Sequence, residues 1–116
     1  MIGEQERIAL EYGPVVVLEA ARELEGTRGR AKDKAGRVTG VRELEQLAAA
    51  LRLAPDLDAE HRRALFAAVA TDATLALLVR LITDAEQAAG PYPSHLDTPA
   101  TGRAVLGVLI EATRQR

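Results

Sequence analysis

Apolar positions recur with a helical period along most of the chain. Val41, Leu44, Leu47, Ala48 and Leu51 fall within a stripe about 120° wide on a helical wheel, while Arg42, Glu45, Gln46 and Arg52 lie outside it. This predicts an amphipathic helix that ends at Ala54-Pro55. Asp58 is the expected N-cap of the next helix, whose core stripe reads Leu57, His61, Ala64, Leu65, Ala68 and Val69. Phe66, the single phenylalanine, falls between Arg62 and Arg63 and outside that stripe. Thr71 or Asp72 caps a further helix running to about Ala89, closed by Gly90-Pro91. The segment PYPSHLD then crosses to Thr98-Pro99, an N-cap and first-position pair that opens a last helix over about 99–114, with Arg114 and Arg116 complementing its C-terminal dipole.

Upstream, a periodic segment covers Gly3 to Leu24. Gly13-Pro14 predicts a kink or break inside it, because proline lacks an amide donor and clashes with the preceding turn. Val15, Val16 and Val17 form the main β-branched run, the weakest point of the helical reading, where a short strand is the alternative.

Composition fixes the class. Of the 116 residues 47% are hydrophobic but only 3% aromatic, so the core must consist of small aliphatic side chains, which favours closely approaching helices. One core is expected at this length. The chain is therefore read as all-α: residues 1–116 form a single compact bundle of four or five helices with one long basic loop at about 26–40.

Cysteine is absent, which excludes disulfides, thiolate metal sites and thiol nucleophiles. Residues Met1 to Gly13 carry acids and lack the basic start and apolar stretch of a secretory signal, which points to the cytoplasm. The longest apolar run, Ala64 to Ala70, is far below the roughly 20 residues that span a bilayer, and no membrane contact is expected.

Catalytic signatures are missing. There is no phosphate-binding loop, dinucleotide glycine fingerprint, nucleophile elbow or zinc-protease pattern, and the one serine, Ser94, lies in a proline-rich stretch. Glu60 and His61 are adjacent, so on a helix they point about 100° apart and make a poor acid-base pair. His61 is expected at the edge of the core and His95 in a loop. Asp56, Asp58 and Glu60 are explained by the attraction of a helix start for acids. Residues 31–42 superficially follow a calcium-loop pattern, but Ala31, Ala35 and Arg42 occupy ligand positions and leave too few oxygens. The expectation is a non-enzymatic protein with no catalytic residues, metal, cofactor or small-molecule substrate.

Net charge is −2, so no global field draws the chain to nucleic acid or to an anionic membrane. Locally the balance differs. Residues 28–42 hold Arg28, Arg30, Lys32, Lys34, Arg37 and Arg42 against Asp33 alone. A glycine-containing basic loop of this kind can follow a phosphate backbone, although no aromatic residue interleaves the cations to stack on bases. The segment Leu47 to Leu53 is similar to the second helix of helix-turn-helix repressors, which would make the residues after Pro55 a recognition helix presenting Arg62 and Arg63. Arg52 in place of the usual turn glycine, and Pro55 within the turn, depart from that pattern, which arises in any helix rich in alanine and leucine.

The last two helices carry unusually broad apolar arcs of roughly 200° each. Leu75, Leu77, Leu78, Val79, Leu81, Ile82, Ala85 and Ala89 form one, and Val105, Leu106, Val108, Leu109, Ile110 and Ala112 the other. Unless the first helix covers both, apolar surface remains for a partner. The sequence thus predicts a protein–protein interaction or assembly subunit that self-associates, with Phe66, Val105, Val108 and Ile110 as interface candidates. The alternative is a small nucleic-acid-binding protein contacting phosphates through Arg28, Arg30, Lys32, Lys34 and Arg37, with Arg62 and Arg63 added if residues 44–66 act as a helix-turn-helix.

Overall fold

The periodic segments rich in alanine, leucine and glutamate all fold as helices. The computed structural model describes residues 3–27, 29, 31–32, 34, 36–88 and 98–114. Among these, five α-helices form the bundle: α1 (Glu4–Glu25), α2 (Val41–Leu53), α3 (Ala59–Val69), α4 (Asp72–Ala88) and α5 (Thr98–Arg114). A 3₁₀ turn, Ala54–Asp56, seats Pro55 between α2 and α3. The only extended pairing among the described residues is an isolated antiparallel bridge between Lys32 and Val38.

No break forms at Gly13-Pro14. α1 continues through Pro14 as one helix of 22 residues, and Val15 to Val17 are helical. A proline inside a helix costs about 3 kcal/mol, and burial of Ala9, Val16, Val17 and Ala21 against neighbouring helices offsets it. Gly13 contributes by its size: a Cβ there would lie 3.0 Å from Leu51 Cδ1 and 3.1 Å from Val105 Cγ2, so its absence lets α1 settle between α2 and α5.

The last helix is the centre of the bundle. α5 buries Thr101, Gly102, Ala104, Val105, Val108, Leu109 and Ala112, and α1, α3 and α4 all pack on it. α1 lies mainly on α2 and α5. Together with α3 it covers part of the arc of α5, and Ile110 on α5 and Val79 on α4 stay open. On the α4 side, a Cβ at Gly102 would lie 2.8 Å from Ile82 Cγ1, so glycine again sets a close helix approach.

Caps mark the starts of α3 and α4 where the sequence placed them. Asp58 Oδ1 accepts from the His61 amide at 2.8 Å. Thr71 Oγ1 accepts from the Thr74 amide at 3.2 Å, and the Thr71 hydroxyl donates to Thr74 Oγ1, which keeps buried Thr74 satisfied. At this junction α3 and α4 turn by 85°. No single helix among the described residues is long and apolar enough to cross a membrane. The expected helix stop at Gly90-Pro91, as well as Ser94, His95 and Arg116, lies outside the described residues.

Candidate interaction surface

Three of the four interface candidates are core residues. Phe66 is 2% exposed, Val105 is fully buried and Val108 is buried with them in the main apolar cluster. The reason at Phe66 is rotational. α3 turns Phe66 inward, with Ala70 one turn later also buried, while His61, Ala64 and Ala68 of the expected stripe face solvent. His61 is accordingly an exposed residue rather than one at the core edge. Only Ile110 remains at the surface, at 36% exposure.

Ile110 has a counterpart that the interface reading of the sequence passed over. Val79 on α4 is 50% exposed. α4 and α5 are consecutive, packed helices whose connected ends meet at the Glu86–Arg103 ion pair and at Ile82 against Gly102, so they run antiparallel. Val79 precedes Glu86 by seven residues and Ile110 follows Arg103 by seven, so both lie two turns along the same outer face of the pair. Leu75 and Leu106, each four residues before them, are half-buried beside them. Among the described residues, the other large exposed apolar side chains are Tyr12 and Val15 on α1 and Leu53 at the end of α2.

The cationic candidates scatter. Arg28 and Arg30 lie outside the described residues. Arg37 donates to Glu45 Oε1 at 2.5 Å and to Glu25 Oε2 at 3.2 Å, tying the segment before α2 to the end of α1. The hydrogen bond to Glu45 is the main reason its guanidinium holds its proton more firmly than usual. Arg62 donates through Nε to Glu6 Oε1 at 2.5 Å and through Nη1 to the Leu57 carbonyl at 3.0 Å. Its side chain, 14% exposed, is folded back onto α1 instead of reaching outward as a recognition-helix arginine would. Lys32, Lys34 and Arg63 are exposed. Glu25 and Glu6 sit at opposite ends of α1, about 28 Å apart at 1.5 Å per residue. Arg37 and Arg62 are therefore anchored at the two ends of the molecule and share no patch.

The contacts of Arg37 tie the described part of residues 26–40 to α1 and α2. Val38 is buried, and an open cleft of about 340 Å³ lies between this segment and the end of α1, lined by Glu25, Thr27, Lys32, Arg37 and Val38. Glu25 and Arg37 neutralise one another in its wall.

Asp58 and His61 form a cap. Asp58 lies below the usual carboxylate range, first because it accepts the His61 backbone amide and then the His61 ring. His61 is raised in turn by its hydrogen bond to Asp58, 2.8 Å away, and by the attraction of that carboxylate. Among the described residues no group of three or more histidine, aspartate or glutamate side chains is placed to hold a metal ion. No protein-family model, curated protein or solved structure matches this chain.

Proposed function

We propose that the chain is a non-enzymatic protein–protein interaction or assembly subunit that docks through the outer face of α4 and α5. The observation that carries this reading is the placement of half-exposed Val79 opposite Ile110 on two packed helices, with Leu75 and Leu106 completing one apolar strip. Covering the exposed parts of Val79 and Ile110 is worth on the order of 1 kcal/mol each, and opening the strip to a partner's apolar side chains adds to that. A partner is rewarded for sitting here and the fold loses nothing by it. Phosphate contact is the weaker reading, because the Arg37 and Arg62 guanidinium groups are held by carboxylates of the domain itself.

The test is a photoreactive amino acid placed at Val79 in the full chain, with the same substitution at exposed Asp84 on the opposite flank of α4 as control. Irradiation in extract of the expressing cells should give a protein adduct from position 79 and none above background from position 84. Equal yields at the two positions would count against the face.

A further inference from the structure

Resting on that reading, we infer that the occupant of the α4–α5 face is a second copy of this chain, and that the two copies form an antiparallel four-helix bundle. In it, α4 of each protomer lies across α5 of its partner. The argument comes from two exposed stripes. On α4, Asp72, Val79 and Glu86 are spaced by seven residues, a spacing that falls only 20° short of two full turns, so they stay on one line. On α5, Arg103, Ile110 and Arg114 follow at seven and four residues and keep to one side of the helix. All six residues are exposed.

The α4 stripe is acidic at both ends and apolar in the middle. The α5 stripe is basic at both ends and apolar in the middle. Each is thus the complement of the other, and the chain displays both side by side. A two-fold axis lying between two such faces and parallel to the helices sets α4 against the partner's α5, with like ends meeting. Val79 then meets the partner's Ile110 and Glu86 the partner's Arg103, while Arg114, which lies about 4.5 Å short of the level of Asp72 and pairs with Glu111 on its own helix at 3.8 Å, reaches along its side chain toward the partner's Asp72; every contact occurs twice. The internal Glu86–Arg103 pair becomes half of a ring of four alternating charges. Ala76 and Thr83, the small exposed residues flanking Val79, leave room for the helices to approach. A partner of one charge sign would satisfy one stripe and be repelled by the other, which favours a second copy over a uniformly acidic or basic helix.

Two charge-reversed chains test this. Asp72→Arg with Glu86→Arg makes both stripes basic, and Arg103→Glu with Arg114→Glu makes both acidic. Sedimentation of the wild-type chain should show its mass doubling as concentration rises, with tighter association at low salt. Each variant alone should self-associate at least about tenfold more weakly, and an equimolar mixture should regain the dimer. Far-ultraviolet melting shows whether the variants fold. If they do not, Val79→Ala with Ile110→Ala, which only truncates exposed side chains, should weaken self-association by about tenfold without charge changes. A wild-type chain that stays monomeric at every concentration overturns the proposal, as does a mixture of folded variants that stays monomeric. If position 79 still cross-links to a different protein under those results, the interaction reading stands and only the second copy is lost.

Discussion

α2 and α3 are neighbours of similar length, 13 and 11 residues, and their sequences promise similar amphipathic helices. Their attachment differs. α2 buries Val41, Leu44, Leu47, Ala48, Ala50 and Leu51, whereas α3 buries Phe66 alone. α2 is held by a continuous leucine stripe that no single contact dominates. α3 is held by Phe66, with Ala67 and Val69 partly buried beside it, and by one ion pair to the first turns of α1, while an aspartate caps its start. A helix rich in alanine forms readily but gains little from docking, so its hold on the bundle rests on a few side chains that can be removed one at a time.

Truncation in the better-held helix should have the largest effect. Leu47→Ala removes a fully buried side chain at the α2 core and should lower global stability by about 2–5 kcal/mol in urea unfolding, with all helices lost together. A loss well below that would mean the two helices are not so different.

Glu6→Gln should act locally. It leaves the partly buried guanidinium of Arg62 without its countercharge and should cost about 1–2 kcal/mol once solvent screening is allowed for. Hydrogen exchange should accelerate in α3 while the amides of α2 keep their protection. Uniform acceleration across both helices would erase the distinction between them.

The Asp58–His61 cap should give the smallest effect, because both side chains are mostly exposed, at 65% and 72%. The raised His61 stabilises the fold fully below its ordinary pKa of 6.5, and this is lost as pH rises through its higher folded value. The lowered Asp58 stabilises above its ordinary 3.8, and this is lost as pH falls through its lower folded value. Protection of α3 amides should therefore peak between about pH 3.8 and 6.5. Nuclear magnetic resonance titration of the His61 ring checks the cause, since Asp58→Asn should return it toward its ordinary value. A ring that titrates identically in both chains would remove the cap from the account.

The same contrast explains what the sequence made legible. The leucines of α2 define one arc by volume, so the face could be read directly. In α3 the alanines at 64 and 68 carry little volume, so counting apolar positions turned the expected face toward His61, Ala64 and Ala68, which are exposed, and the bulk of Phe66 decided the rotation. Helix starts at Asp58 and Thr71 were legible because capping is local chemistry. The continuity of α1 through Pro14 was not, because it depends on contacts with Leu51 and Val105, far away in sequence. The ion pairs of Arg62 and Arg37 span 56 and up to 12 residues, and such distances leave no periodic trace. For the candidate surface, the excess of apolar arc on α4 and α5 was visible, but which residues remained outside depended on where α1 lay down.

That α5 forms the centre of the bundle has a consequence for biosynthesis. The helix on which three others rest is made after all of them, and at roughly 5–20 residues per second the stretch from Glu25 to Thr98 takes some seconds to emerge. During that interval α1 can fold back on α2, but the faces of α1, α3 and α4 that meet α5 stay open to water. The nascent chain therefore passes through a period in which its most adhesive surfaces are exposed, and the arrival of one helix ends it.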